Sequence, residues 1–375
     1  MIETRVHGTV EAGFEPVKVA FEANFEHHGE VGAACCAYVA GRRVVDLWGG
    51  TYAADTLQMV MSSTKGVVAV AAHILAQEGR LDLDAPVVQY WPEFGAEGKR
   101  DIPVRWLFSH RAGLPVIDRP LTFEESLAWD PVVDALAAQR PVWEPGSAHG
   151  YHTTTYGWLA GEVIRRAAGV SVGAVVQERI AKPLGLELWI GLPEAMEPGV
   201  QDLIPAPPRA PGETPDIFTA RAMDPTTLFY RSLTNPPTTP SAYNSRAYHA
   251  AEMPATSGIT NARSLARMYA ACIGEVDGVR LLNRDTLDAA TRTESAGEDR
   301  VLGYETRYGT GFQLAFPFRP MAGEGSFGHY GMGGSVGFAN PAKGMAFAYV
   351  MNQMKPGGGV DPRTRGLVEA LVACL

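Results

Sequence analysis

Two serines in this chain stand in spacings that suit acyl transfer, and they point to different enzymes. Ser335 lies in Gly333-Gly334-Ser335-Val336-Gly337. That run fits the GxSxG elbow, in which a serine on a sharp strand-to-helix turn gives its proton to a histidine later in the chain. Neither requirement is met. The residues after it, Phe338-Ala339-Asn340-Pro341, lead to a proline and then to the β-rich run 345–351, so no helix can start there. The histidines stand at 7, 27, 28, 73, 110, 149, 152, 249 and 329, and none follows Ser335. Ser335 is therefore expected in a glycine-rich turn between strands. The second candidate is Ser62-Ser63-Thr64-Lys65, an SxxK spacing. With 14 serines and 6 lysines in 375 residues, about 0.2 such matches arise by chance, so the spacing alone decides nothing. Its context says more. Three residues along a helix bring Lys65 onto the face of Ser62, one turn away. A lysine in the first turn of an otherwise apolar helix is costly unless its charge has a task. The bland alternative makes Ser62 a helix N-cap and lets Lys65 snorkel to solvent. On these residues alone the two readings balance. His73, eleven residues beyond Ser62, would lie about 16 Å along the helix axis, too far for a general base, and is expected in the core.

The surrounding texture indicates what positions these groups. A helix is expected over about 14–28, then β-rich runs at 33–40 and 43–48 joined by a turn at Gly41-Arg42. From 62 to about 79 the chain is apolar nearly all round, which suits a buried helix. Between 80 and 265, helical patterns (131–139, and 154–168 ending at Gly169) alternate with Pro-rich loops at 204–215 and 235–254, lengths that suit lids or pocket walls. Strand-like runs return at 311–316, 327–330, 337–340 and 345–351, and an amphipathic helix closes the chain at about 362–373. Strands at both ends with a helical middle predict an α/β (α+β) fold. An antiparallel sheet is built from 1–79 and 266–375, and a mainly helical domain, 80–265, is inserted between them.

Composition limits the functions. Apolar residues make up 46% of the chain and charged residues 19%, as in a folded globular protein. The formal charge of −9 argues against nucleic acid and against an anionic membrane surface as partners. No apolar run reaches the roughly 18 residues of a membrane span, and the first residues lack a signal peptide's apolar core, so a cytoplasmic location is expected. Cys35 and Cys36 are adjacent in a strand-like run and should point to opposite faces, while Cys272 and Cys374 are isolated. No metal spacing is present, and the thiols read as structural.

The rest of the chain resembles the serine β-lactamase and penicillin-binding-protein superfamily, most closely the family VIII carboxylesterases, which look like class C β-lactamases. The resemblance rests on Ser62–Lys65, Glu78-Gly-Arg-Leu-Asp-Leu-Asp84 with Pro86, and Leu107-Phe-Ser-His-Arg-Ala-Gly-Leu114. It continues through Pro145-Gly146, Tyr151, and Tyr156-Gly157 to Gly161, and ends with His329-Tyr330-Gly331 followed by Gly333-Gly334. It implies a β-lactamase-like fold with the active site in a cleft between the sheet and the inserted domain, and no metal or organic cofactor. Ser62 would be the acylated nucleophile. Lys65 would hold a positive charge beside it. Tyr151 would share the general-base role, its pKa lowered by that cation. His329, Tyr330 and Gly331 fall where lactamases carry Lys-Thr-Gly, and with Thr153 they would bind substrate. The backbone N–H groups of Ser62 and Met332 would form the oxyanion hole. His110 and Arg111 match a block that is structural in that superfamily.

The departures bear on substrate. Lactamases have Tyr-x-Asn in the second block, whereas this chain has Tyr151-His152-Thr153. The missing Asn and Lys lie where lactamases hold the amide and carboxylate of their drug. The implied activity is hydrolysis of small carboxylic esters, with short acyl groups, through an acyl-enzyme. A β-lactamase or D-amino-acid peptidase, or an acyltransferase, stays open on the same machinery. A non-catalytic binding protein would not need Ser62, Lys65 and Tyr151 together.

Overall fold

Alternating and fully apolar runs at the two ends of the chain close into one sheet. The computed structural model describes residues 6–209, 212 and 214–375. In chain order, strands β1 (Val6–Val10), β2 (Gly32–Val39) and β3 (Arg42–Gly50) come first. Four short strands follow: β4 (Leu57–Met59), β5 (Leu188–Ile190), β6 (Val200–Gln201) and β7 (Gly258–Thr260). The chain ends with β8 (Ser295–Glu298), β9 (Glu305–Tyr308), β10 (Gln313–Leu314), β11 (Phe327–Tyr330), β12 (Val336–Asn340) and β13 (Met345–Met351). Nine of these form an antiparallel sheet ordered β1-β3-β2-β13-β12-β11-β10-β9-β8. At its centre β2 pairs with β13, Ala33 opposite Met351 and Val39 opposite Met345. The sheet is thus assembled from both termini, as expected.

Helices cover both faces, which is why β13 is buried at every residue and does not alternate. On one face Phe25 of helix Glu15–His27 lies against Gly49. On the other, Arg263 of helix Ala262–Ile273 pairs with Asp46 at 2.9 Å. That helix packs whole on the sheet and begins four residues before the expected boundary at 265/266. Cys35 and Cys36 are both buried and free in β2. The expected buried helix is Thr64–Gln77, every residue from Thr64 to Leu75 being buried. His73 is a core residue within it: its Nε2 lies 2.8 Å from the Thr310 carbonyl, its ring stacks on Phe312, and burial draws its pKa down to about 4.

Two expectations change. The strand expected over 311–316 is only Gln313–Leu314, because Gly311 takes φ +91° and Phe316 turns back to pair with Arg319. The 235–254 stretch is not all loop. It holds a turn of helix, Ala242–Asn244, and a short helix, Arg246–Ala250, whose Ser245 cap accepts a hydrogen bond from the Tyr248 N–H. Of the 204–215 loop, residues 210, 211 and 213 lie outside the described residues. Its start is tied to the sheet by a bridge from Ile204 to Gln353. Among the described residues, no helix is long and apolar enough to cross a membrane.

The closing helix, Pro362–Ala373, is fixed to the sheet by a buried ion pair. Arg363 donates to Glu30 Oε2 (2.9 Å), Asp361 Oδ2 (2.6 Å) and the carbonyls of Gln353 and Gly333. Arg363→Ala would leave the Glu30 carboxylate buried without its cation. The variant should lose about 3–5 kcal/mol of unfolding free energy, read from a urea titration followed by fluorescence.

Candidate active site

Ser62 sits in a single 3-10 turn, Met61–Ser63, that leads into helix Thr64–Gln77. The turn is strained: Met61 adopts φ +47°, a region rarely occupied by residues with a side chain. Val60 is held before it by the Gly258 carbonyl of β7 (2.9 Å), and Thr64 accepts a hydrogen bond from the Gly258 N–H (2.8 Å). The sheet approaches from the other side at Gly331, where a Cβ would come within 2.4 Å of the Val60 carbonyl. Only glycine fits there. Neither bland reading survives. Ser62 makes no capping hydrogen bond to the helix. Lys65 is fully buried.

Lys65 Nζ lies 3.1 Å from Ser62 Oγ, 2.8 Å from the Thr153 carbonyl and 3.0 Å from the Ala255 carbonyl. Burial pushes its pKa well below the ordinary lysine value. Three acceptors surround Nζ, one for each donor of an ammonium; in the neutral form that burial favours, two N–H groups stay on the carbonyls and the lone pair faces the Ser62 hydroxyl. The Tyr151 hydroxyl is hydrogen-bonded to Ser62, and its ring lies 5.0 Å from Lys65 Nζ. Here the expected electrostatics reverse. A cation was to lower the tyrosine pKa, but burial raises Tyr151 above the usual phenol range and outweighs the Ser62 hydrogen bond. Lys65 and Tyr151 are therefore both biased to their neutral forms.

Ser62 and Tyr151 line a cavity of about 290 Å³ together with Thr153, Tyr330, Gly331 and Met332. Phe218, Phe229, Leu233, Tyr243 and Leu302 give it an apolar and aromatic lining, and Asp216, Arg319, Lys355 and Asp361 also line it. The Gly331 N–H is used by the Ser335 carbonyl (2.7 Å). His329 does not line this cavity, which corrects its assignment as a substrate-binding residue. As a neighbour of Tyr330 on a strand it faces the other side, where it is 1% exposed with Nδ1 2.7 Å from the Tyr330 carbonyl. Burial holds its pKa well below 6.5. Thr153 does line the cavity, with its hydroxyl occupied by Ser232 (2.9 Å) and its carbonyl by Lys65.

Ser335 is buried outside the cavity, its hydroxyl donating to the Val60 carbonyl (2.8 Å), so it braces the turn before Ser62. His110 and Arg111 hold the Tyr151 segment: His110 Nδ1 accepts from the His152 N–H (3.1 Å), and Arg111 donates to the Gly146 carbonyl (2.8 Å). Sequence reasoning missed the Ala255 carbonyl, which carries no side-chain signal. It also missed Gln313, which lines the cavity and accepts from the Tyr330 N–H at 3.1 Å.

Comparison with known proteins identifies the family and the fold. The sequence pattern of the Beta-lactamase family matches residues 20–371. "Esterase/beta-lactamase LipL" of Mycobacterium tuberculosis is 34% identical over 93% of this chain and 83% of its own length. A crystal structure of a family VIII carboxylesterase superposes with a TM-score of 0.90 at 35% identity, covering 99% of this chain and 100% of the other. EstA from Arthrobacter nitroguajacolicus Rue61a does so with a TM-score of 0.89 at 32% identity, over 98% and 97%. With the family pattern matched over residues 20–371 and a relative 34% identical over 93% of its length, this chain belongs to the beta-lactamase family.

Proposed function

We propose that the chain is a serine carboxylesterase in which Ser62 is acylated by small esters, Lys65 and Tyr151 move the proton, and the N–H groups of Ser62 and Met332 receive the oxyanion. The observation that carries this reading is the placement of Lys65, buried between two carbonyls with its remaining valence toward Ser62 Oγ. The family VIII structure is named a carboxylesterase, and LipL is named both an esterase and a beta-lactamase. Ser62 Oγ bonds to the acyl carbon as its proton passes to Lys65 Nζ, and the carbonyl oxygen takes the negative charge. When the tetrahedral centre collapses, the C–O bond to the alcohol breaks, and the departing oxygen takes that proton through the Tyr151 hydroxyl. Water then enters by the same route in reverse. The substrate would lie in the cleft between the sheet and the 80–265 region, with its acyl group toward the apolar lining. A cytoplasmic setting is supported by the four free cysteines.

Esters should be preferred over β-lactams. An ester needs no protonation of a departing nitrogen, whereas a β-lactam drug brings a carboxylate and an amide that need partners. His329, at the position of the lactamase lysine, is neutral and turned away from the cavity. Thr153 Oγ1 accepts from the Ser232 hydroxyl, and one hydroxyl does not supply the paired donor and acceptor of the Asn amide that it replaces. Losing one charge-assisted contact and one hydrogen bond removes about 2–4 kcal/mol, or roughly 30- to 1,000-fold, from the lactam reaction alone. The test compares kcat/KM for a short p-nitrophenyl ester and a chromogenic cephalosporin on one preparation. Equal turnover would put the lactamase reading ahead.

A further inference from the structure

Tyr151 lies in an irregular segment between Pro141 and helix Thr155–Ala168, so no helix or strand fixes its main chain. What fixes it comes from the far edge of the sheet. Asp299, in the turn between β8 and β9, is fully buried, and both carboxylate oxygens accept the Tyr151 N–H at 3.0 Å. Its Oδ1 also accepts the N–H groups of Val301 and Leu302 (2.9 Å each), and its Oδ2 accepts the Thr306 hydroxyl at 3.1 Å. That hydroxyl spends its one proton on Asp299. Its oxygen therefore accepts from His149 Nε2, 2.9 Å away, two residues before Tyr151. The Arg300 N–H closes the circuit on the His149 carbonyl at 3.1 Å. Among the described residues, Asp299 forms no ion pair.

A carboxylate that only capped its own hairpin would need the Val301 and Leu302 amides and no more. Burying a charge solely among neutral donors is expensive, and here it is arranged so that two of its contacts fall on one amide in another part of the fold. We propose that Asp299 is the positioning residue for Tyr151, locking the main chain at 151 from across the cleft so that the phenol stays on Ser62. Its negative charge adds a smaller effect in the same direction as burial, raising the Tyr151 pKa. This inference rests on the reading of Tyr151 as the proton-transfer group.

The test uses Asp299→Asn and Thr306→Val, each alone and combined with Tyr151→Phe, with kcat expressed per site titrated to completion by a fluorophosphonate. Asp299→Asn should lower kcat about 10- to 100-fold with KM for a neutral ester nearly unchanged, and Thr306→Val several-fold. In the Tyr151→Phe background both further losses should shrink to less than about 2-fold, because nothing remains to be positioned. The alkaline limb of the kcat–pH profile should move to lower pH in Asp299→Asn, since removing the charge makes the phenol more acidic, a displacement that a merely structural role would not produce. Equal losses with and without the Tyr151 hydroxyl, or an unchanged kcat and alkaline limb, would overturn the proposal. If Asp299→Asn yields no titratable protein, Thr306→Val, an isosteric change, carries the same comparison. A Tyr151→Phe enzyme that is itself fully active would instead sink the reading of Tyr151, and this inference with it.

Discussion

Ser62→Ala should lower kcat toward a p-nitrophenyl ester by about 10⁴-fold or more, because no other hydroxyl in the cavity has a base behind it. The Thr153 hydroxyl is held by Ser232, and Tyr151 is kept neutral by burial. Ser335→Ala should keep most of the activity: its hydroxyl is outside the cavity and donates to the Val60 carbonyl, so its loss loosens a turn without removing a reactant. The direct measurement is the intact mass after reaction with a fluorophosphonate, followed by peptide mapping. An adduct on Ser335 would reverse the assignment of the two serines.

The next largest effect belongs to the Lys65 and Tyr151 pair. Tyr151→Phe should cost roughly 10²- to 10⁴-fold in kcat, the range for a lost acid–base group, and Lys65→Ala a similar amount. The double variant should be far less impaired than the product of the two, since either loss breaks one proton path. Multiplicative losses would mean two independent roles. The protonation assignment makes a separate demand on pH. If Lys65 must be neutral to accept the Ser62 proton, kcat/KM rises with pH as Lys65 deprotonates. Burial places that rise well below the ordinary lysine range. A rate that instead falls as lysine loses its proton would restore the cationic lysine and the phenolate.

Much of the frame was legible because it depends on patterns the chain cannot hide. The apolar run from Gly66 to Leu75, broken only by His73, could only be a buried helix, and the β-rich runs near 33–48 and 327–351 could only pair across the chain. The rejection of Ser335 followed from a proline and from histidine positions. Strands β1, β8 and β9 were illegible: they are short and partly exposed at the sheet's edges, so their side chains carry no hydrophobic period. Ser62, Lys65 and Tyr151 could be proposed from motif order, but not their protonation. That depends on how completely the folded protein removes water from Lys65, and on two backbone carbonyls contributed from residues 153 and 255. His329 was misplaced for a simpler reason: alignment assigns a strand position but does not say which face its side chain takes.

The pairing of β2 with β13 has a consequence for how the enzyme comes into being. The central ladder joins Ala33 to Met351, so the middle of the sheet cannot form until nearly the whole chain is available. During synthesis, the apolar strands β2 and β3 wait through some three hundred residues of translation, about 15–60 s at ribosomal rates, with an unpaired edge on β2. Such long-range closure makes for slow folding, and the waiting hairpin is a surface that chaperones must shield or neighbouring nascent chains will pair with. The serine turn emerges early, but Tyr330 of β11, which lines the same cavity, emerges late. The nascent chain is therefore catalytically silent until its last strands have docked.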